Sequence, residues 1–597
     1  MSTAADGSAR DRRWLGLVAI CGATFMLLVD LTIVQVALPT IQRQFRASFT
    51  DLQWVISAYA LPLSALILTC GSLSDRVGRK RIFIAGVGVF TFASALCGLA
   101  TGAMFLNLAR ALQGVGGAAM FATSLALIGQ EFHGQERAKA ISAWGATVGG
   151  AVAIGPLIGG AITSGIGWRW IFFVNIPIGA ATVFMAVPLL VNVRDPEARS
   201  ADVLGLVSFS GALFLLNFAL LRGAADGWGS SLIVGCSAGS PLLLAAFIVA
   251  ELRQRRPMFD LSLFRNAGFC GVSLGTFAIG MGMFGLLPYL TLYIQNDLGY
   301  SPFAGGLRLL PATVLTFLVP LATRRLTERL PAGAVLGAGL TICAGGLLAM
   351  DVLTGASGWT ALLPGLVLTG TGVGVANPSI AKIALGVVQP ARAGMASGIS
   401  NTMRVAGLAT GIAALGAAFQ AGVSSDLGRI LPGASAKLAA VVAAGGRSAA
   451  LASARGGPLA RHAVGVAAGR AFASSMDEIV VIGAAVVGLG ALGAFLLVRE
   501  RHFVPVQGRP ATTGKPAAPA TVPAANSSAR AGYPGLAEPE PSARGLLLPQ
   551  TADWHRWPAR RGSARAASQP SSISCFAGRG TGMTATRRTA GCPPPPR

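Results

Sequence analysis

Four charged side chains lie well inside long apolar stretches of this sequence, away from the ends of the stretches. Asp30 is the acid, and Arg110, Arg308 and Arg404 are the bases. An isolated charge inside a membrane is costly, so such residues usually pair with one another or perform a function. A carboxylate beside a guanidinium can bind and release a proton, because desolvation favours its neutral form and the neighbouring positive charge favours its ionised form. The alternative is a structural ion pair.

Asp30 and Arg110 are predicted to lie at the same depth. Asp30 lies seven residues before the end of the first apolar stretch, at Ala37, and Arg110 lies seven residues after the start of the fourth, at Ala103. At a rise of about 1.5 Å per residue, both side chains lie roughly 10 Å from the same end of their helices. We therefore expect the two side chains to face each other.

The stretches that carry these charges are long enough to cross a lipid bilayer. Of the 597 residues, 53% are hydrophobic and only 12% are charged. A bilayer core about 30 Å thick needs about 20 apolar residues of helix. The sequence predicts fourteen spans, at residues 14–37, 52–73, 82–101, 103–129, 139–163, 169–192, 203–222, 231–251, 268–295, 303–322, 333–351, 360–384, 395–420 and 478–499. Because the runs lack the strict alternation of a membrane β-barrel, we expect an all-α membrane protein.

Basic residues are concentrated in alternate loops between the predicted spans. Clusters lie at residues 10–13, 76–81 and 253–256, whereas the opposite short loops hold few basic residues. This asymmetry predicts an even number of helices with both termini in the cytoplasm. We interpret the formal net charge of +24 in this way, and we do not expect nucleic acid as a partner.

Two segments differ in composition from the predicted spans. Residues 500–597 are basic and rich in Pro, Ala, Gly and Ser, so we expect a disordered and dispensable tail. Residues 421–477 are rich in Ala and Gly and are predicted to form an extracytoplasmic loop with short surface helices.

Other kinds of chemistry have little support in the sequence. The four His residues fall outside the apolar runs without partners at metal-ligand spacing, and most of the eight Cys are scattered singly within the runs. We recognise no phosphate-binding loop, dinucleotide fingerprint or nucleophile elbow. We therefore expect no catalytic residues, no metal and no cofactor.

Three motifs make a family recognisable. Residues 71–81 (Gly-Ser-Leu-Ser-Asp-Arg-Val-Gly-Arg-Lys-Arg) resemble the signature loop between spans 2 and 3 of the major facilitator superfamily. Residues 106–117, around Arg110, resemble the span 4 motif of that superfamily, and residues 155–160 (Gly-Pro-Leu-Ile-Gly-Gly) resemble the span 5 motif of its antiporters. The resemblance covers about residues 14–499 and implies a secondary transporter with the major facilitator fold.

Further motifs resemble the fourteen-helix drug/proton antiporter branch, the EmrB/QacA type. They lie at residues 29–39, 168–177 and 400–404. Gln35 stands where that branch usually has Asn. In residues 321–329, the second-half equivalent of the signature loop, the Asp and Gly are missing. The resemblance implies two six-helix bundles with two extra helices inserted between them, a 6+2+6 arrangement.

The signature loop is expected to act as a conformational latch. Its glycines would allow a tight turn and close approach of backbones. Asp75 is expected near the start of span 3, accepting hydrogen bonds from helix amides and facing the other bundle. Such a contact is made in one conformation and broken in the other. The expected latch residues are Gly71, Asp75, Arg76, Gly78 and Arg79.

The remaining motifs indicate a seal and a cavity. The span 5 motif is expected to form a thin helix face that seals one bundle against the other while allowing it to rock. Its residues are Gly155, Pro156, Gly159 and Gly160. Candidates for the substrate cavity are Gln113, Asn401 and Arg404. Asp30 and Arg110 are the expected proton-coupling pair.

Together these features predict a proton-coupled transporter of the cell membrane that exports hydrophobic small molecules, such as drugs, by alternating access. A metabolite or siderophore transporter of the same fold is the first alternative, and a membrane enzyme or receptor is the second. The expected partners are the small-molecule substrate and the lipid bilayer, with a monomer favoured and accessory export proteins left open. The predicted parts are residues 1–13, the cytoplasmic N-terminus; 14–192, the first bundle; 193–266, the inserted helices; 267–499, the second bundle; and 500–597, the tail.

Overall fold

The structure is a computed structural model that describes residues 2–194, 202–254, 259–353, 357–389, 392–432, 434–454 and 457–504. Over these residues the chain is helical without a β-strand, which confirms the all-α prediction. Most of the predicted tail, from residue 505 onward, lies outside the described residues.

The described residues of the first half form seven helices, of which the last two together make one span, Trp170–Leu189. They are α1 (Ser2–Phe45), α2 (Phe49–Val77), α3 (Arg79–Gly98), α4 (Ala103–Glu131), α5 (Gly134–Gly165), α6 (Trp170–Phe173) and α7 (Asn175–Leu189). The inserted pair is α8 (Val203–Asp226) and α9 (Ser231–Arg253). These two pack against each other, and α8 also packs against α2 and the later helix that begins at Ala393.

In the part of the second half that the structure describes there are eight α-helices. They are α10 (Ala267–Ala278), α11 (Leu287–Leu292), α12 (Pro302–Arg329), α13 (Ala332–Leu348), α14 (Leu363–Gly386), α15 (Ala393–Ile430), α16 (Ala436–Ser453) and α17 (Pro458–Leu497). Two π-helical turns, Ile279–Phe284 and Tyr293–Asp297, join α10 and α11 into one span, Ala267–Asp297.

Thirteen helices of the described chain are long and apolar enough to cross a membrane. The predicted span at 333–351 corresponds to α13, which is apolar but has 17 residues. At about 1.5 Å per residue this helix is roughly 25 Å long, slightly less than a bilayer core.

Several helix starts follow directly from capping residues. The Ser48 side chain accepts a hydrogen bond from the Asp51 amide, and the Asp51 carboxylate accepts one from the Ser48 amide, forming a capping box at the start of α2. Ser301 caps α12 and Ser435 caps α16 by accepting a hydrogen bond from an amide of the first turn.

The two halves repeat one packing arrangement. In α3 and α4, Gly86 and Gly116 lie so close that a Cβ on either would contact backbone atoms of the other helix at 3.0 Å or less. Gly339 and Gly372 do the same in α13 and α14. These helices occupy the third and fourth positions of their halves, so the repeat agrees with a duplicated bundle.

The segment at 421–477 differs from the predicted surface loop. Helix α15 continues to Ile430, α17 already begins at Pro458, and α16 lies between them. Val442 and Ala443 of α16 are fully buried, and the Asn296 side chain donates a hydrogen bond to the Ala444 carbonyl oxygen at 3.3 Å. The small side chains that suggested a loop instead allow α16 to pack closely against the second half.

Candidate functional site

Asp30 of α1 and Arg110 of α4 form an ion pair, and both side chains are fully buried. Arg110 Nη1 donates to Asp30 Oδ2 and, at 2.7 Å, to Gln113 Oε1. Gln113 Nε2 donates to Asp30 Oδ1 at 3.0 Å, and Asn175 Nδ2 donates to the same oxygen at 3.3 Å. Both carboxylate oxygens therefore have partners. The structure confirms the expected proximity of Asp30 and Arg110.

The guanidinium of Arg110 is fixed by further contacts. Its Nε donates to the Val55 carbonyl oxygen at 3.1 Å, and its central carbon lies 4.2 Å from the centre of the Tyr59 ring. A fully desolvated pair of this kind depends on its hydrogen bonds, because the loss of one partner leaves an uncompensated charge. Arg110 Nη2 is buried without a partner in the described chain. Protonation of Asp30 would remove the charge that holds this arrangement together.

The span 5 motif packs on the turn of α1 that carries Asp30. A Cβ at Gly155 would overlap Thr32 Oγ1, and a Cβ at Gly159 would lie 2.8 Å from the Ile33 carbonyl oxygen. Helix α1 is thus held between Arg110 on one side and α5 on the other. A larger residue at either glycine would displace the turn that positions the carboxylate.

The same motif also contacts the second half. A Cβ at Gly160 would lie 2.6 Å from the Pro302 carbonyl oxygen, and a Cβ at Gly306 would overlap the Pro156 carbonyl oxygen. Helices α5 and α12 therefore approach each other through backbone atoms. This contact agrees with the expected seal between the bundles.

Hydrogen bonds also join the halves at the end of the bundle where α1 ends and α2 begins, which the sequence predicts to be extracytoplasmic. Gln53 Nε2 donates to Tyr289 Oη at 2.9 Å and to the Ile412 carbonyl oxygen at 3.1 Å. Gln295 Nε2 donates to the Val36 carbonyl oxygen at 2.9 Å. This end of the bundle is closed by polar contacts.

A narrow cleft lies at the centre of the bundle. Its volume is about 20 Å³, which is room for about one water molecule. Thr32 lies two residues after Asp30, about 200° around α1, and lines the cleft while Asp30 faces α4. The other lining residues are Gln35, Val36, Val152, Pro156, Met283, Phe284, Leu287, Leu309, Thr313 and Thr316.

The cavity residues expected from the sequence do not line this cleft. Gln113 is fully buried in the Asp30 network, because its position one turn after Arg110 directs it toward α1. Asn401 donates to the Ser397 carbonyl oxygen of its own helix at 3.0 Å, and Arg404 is half-buried. The role of these last two residues stays a prediction.

The signature loop differs from the expected latch in three respects. Asp75 lies in the last turn of α2, and its carboxylate accepts a hydrogen bond from Arg79 Nε at 2.9 Å, not from the amides of α3. Arg79 also donates to the Ala126 carbonyl oxygen at 3.4 Å, so this contact stays within the first half. A Cβ at Gly71 would meet open space, and Arg76 is exposed.

Gly78 is the latch residue whose identity the backbone requires. It has a φ of +116°, and a Cβ there would overlap the Asn192 side chain. A side chain at this position would therefore strain the corner between α2 and α3.

Asn175 and Tyr59 belong to the site but have no role in the sequence-based interpretation. Asn175 donates to Ser94 Oγ at 2.9 Å as well as to Asp30, so it links α7 and α3 to the carboxylate. The sequence feature that could have indicated Asn175 is a side-chain amide inside an apolar run. Its direction toward α1 depends on how α7 packs, which the sequence alone does not give.

The chain resembles known proteins in sequence and in fold. A family model described as Major Facilitator Superfamily matches residues 20–413. The multidrug resistance protein Stp of Mycobacterium tuberculosis (strain CDC 1551 / Oshkosh) is 35% identical over 414 residues, 69% of this chain and 77% of that protein. The tetracenomycin C resistance and export protein of Streptomyces glaucescens is 32% identical over 424 residues, 71% of this chain and 78% of that protein.

A solved structure shows the same fold at low sequence identity. It is a bacterial homolog to the human lysosomal transporter Spinster, in an inward-facing and unoccupied conformation. The TM-score is 0.52 at 19% identity, over 83% of this chain and 99% of that chain. The family model and the sequence relatives show that the chain belongs to the Major Facilitator Superfamily, and it is a multi-pass transport protein of the cell membrane.

Proposed function

We propose that this protein exports drug-like small molecules in exchange for protons, by alternating access, and that Asp30 carries the proton. The relatives named for multidrug resistance and for tetracenomycin C resistance and export support the drug-like substrate. The energy comes from the proton gradient, without a bound cofactor.

The observation that carries this proposal is the position of Asp30 between two structural elements. Its carboxylate pairs with Arg110 inside the first half, and the α1 turn around it packs against Gly155 and Gly159 of α5. Helix α5 in turn contacts α12 of the second half through Gly160. A change of charge at Asp30 is thus linked by direct contacts to the interface between the halves.

The mechanism follows from the chemistry of this pair. A proton on Asp30 neutralises the carboxylate and weakens its hydrogen bonds with Arg110 and Gln113. Helix α1 is then free to shift against α4, and α5 shifts with it because their backbones are in close contact. Thr32, on the opposite face of α1, would widen or narrow the central cleft. Release of the proton restores the ion pair and the closed arrangement.

We also propose that the chain belongs to the fourteen-helix branch, with α13 as the additional crossing, α8 and α9 peripheral, and both termini cytoplasmic. The alternating basic loops support this topology. Reporter fusions test it, since a fusion at residue 440 should report an extracytoplasmic position. A cytoplasmic signal at that residue would contradict the topology.

Reconstituted vesicles test the transport function. Purified protein in proteoliposomes, with an imposed proton gradient and a panel of labelled drugs, should accumulate drug opposite to the direction of proton flow. Collapse of the gradient with an ionophore should stop accumulation, and added ATP should not restore it. Accumulation that survives collapse of the gradient would contradict proton exchange.

A further inference from the structure

Arg404 of α15 has no partner for its charge in the described part of the chain. Its Nε is buried without a hydrogen bond, and the side chain is half-buried. The other two arginines well inside the predicted spans contact an acid or an aromatic ring. Arg110 is paired with Asp30, and Arg308 lies with its central carbon 3.5 Å from the centre of the Tyr300 ring. Among the described residues Arg404 therefore has neither an acidic nor an aromatic partner, whereas Arg308 has an aromatic partner but no acidic one.

The backbone around Arg404 is tightly held. A Cβ at Gly280 would overlap the Arg404 carbonyl oxygen, and one at Gly407 would overlap the Phe277 carbonyl oxygen. Gly280 lies in the π-helical turn Ile279–Phe284, a rare element that is often found at functional sites. Arg404 is thus carried by a helix in close backbone contact with its neighbour.

Arg404 also lies at the seam between the two halves. Val405, the next residue, packs against the apolar core of the first half. A Cβ at Gly398, two turns earlier, would lie 2.7 Å from Leu68 of α2. Met283 and Phe284, which line the central cleft, belong to the same π-helical turn as Gly280. The Arg404 backbone therefore lies at the seam between the halves and contacts the π-helical turn that also carries two residues of the cleft.

A neighbouring side chain extends this surface. Asn401 lies one turn before Arg404 and is also half-buried. Its Nδ2 donates to the Ser397 carbonyl oxygen at 3.0 Å, which leaves its Oδ1 as an acceptor. An acceptor three residues from a cation matches a ligand that carries both a negative charge and a hydroxyl group.

An unpaired guanidinium is costly in this environment, and Asp30 is already engaged by Arg110, Gln113 and Asn175. We propose that Arg404 binds the anionic group of the exported molecule and that the preferred substrates are lipophilic organic acids with a carboxylate or phenolate. This inference rests on the proposed export function and specifies its substrate class.

The test compares acids with their neutral esters. Purified protein in detergent is titrated with three fluorescent pairs: 1-pyrenebutyrate, anthracene-9-carboxylate and 2-naphthoate, each with its methyl ester. The wild-type protein should bind the acids at least about 10-fold more tightly than the esters, which corresponds to about 1.4 kcal/mol. Arg404→Gln should lose this preference, and Arg404→Lys should keep most of it.

Arg308→Gln is the matched control, since it also removes an intramembrane arginine, and it should bind the acids as the wild type does. Size-exclusion profiles and ester binding show whether each variant is folded. The inference is overturned if the wild type does not prefer any of the three acids, or if Arg404→Gln keeps the preference. Proton-driven export of esters or cations without an acid preference would overturn this inference and leave the proposed exchange intact.

Discussion

Replacing Gly160 with Ala is expected to force apart the two halves where α5 meets α12. The added Cβ would lie 2.6 Å from the Pro302 carbonyl oxygen and 2.8 Å from the Phe303 Cα, and both are backbone atoms that cannot rotate away. Ordinary contacts of a Cβ begin at 3.4 Å, so the helices must separate by roughly 0.8 Å at this point. The change therefore acts on the contact that links the Asp30 region to the second half.

The magnitude follows from two opposing effects. Overpacking a close interface costs about 1–3 kcal/mol. Replacing Gly by Ala inside a helix stabilises it by about 0.5–1 kcal/mol. Gly150, in the same helix, has no atom within 4 Å of its Cβ position and serves as the matched control. Both variants share the helix effect, so the free energy of unfolding should differ between them by about 1–3 kcal/mol.

Unfolding in mixed micelles of mild detergent and dodecyl sulfate, followed by circular dichroism, measures this difference. Export rates in proteoliposomes should fall for Gly160→Ala and stay at the wild-type level for Gly150→Ala. Equal stability and equal export for the two variants would refute the argument that α5 and α12 are in obligatory backbone contact.

Three further predictions concern the pair, the signature loop and the tail. Arg110→Leu should cost about 3–5 kcal/mol of unfolding free energy, because it leaves Asp30 as an unpaired buried charge. Adding Asp30→Asn should recover most of this loss, and equal losses in the single and double variants would argue against direct pairing. Gly78→Ala should lower the midpoint temperature of thermal unfolding, because φ at this position is +116°. Gly71→Ala should leave this temperature unchanged, and a fall for Gly71→Ala alone would contradict the conclusion that Gly78 is the position that requires glycine. Truncation at residue 505 should leave export unchanged, and its loss in a stably inserted protein would disprove that the tail is dispensable.

The sequence was sufficient to predict the membrane helices and the Asp30–Arg110 ion pair. Length and hydropathy define a membrane helix because the bilayer sets a minimum apolar length, so the predicted spans correspond to helices in the structure. Asp30 and Arg110 could be matched by depth, since the rise per residue is constant and unpaired charges are costly. Among the predicted spans that the structure describes, only the one at α13, with 17 residues, is shorter than the length that a span requires.

The sequence was less informative where packing decides the outcome. Gly71 and Gly78 were both expected to allow a tight turn in the signature loop. Of the two, only Gly78 has a backbone conformation that requires glycine. Gln113 was expected in a cavity, but the contact between α1 and α4 places it against Asp30. The burial of α16 was missed because Ala and Gly are typical both of loops and of closely packed helices.

The most direct test of the account is proton exchange by the Asp30→Asn variant. Proteoliposomes that contain a pH-sensitive dye are given a drug gradient, and proton movement and drug movement are recorded together. We expect both to be lost in Asp30→Asn while drug binding in detergent persists, and we expect both to be normal in Asp226→Asn, which removes a carboxylate paired with Arg222 at the end of α8. Export against a gradient by Asp30→Asn at the wild-type rate would contradict the account, because the proton would then use another route.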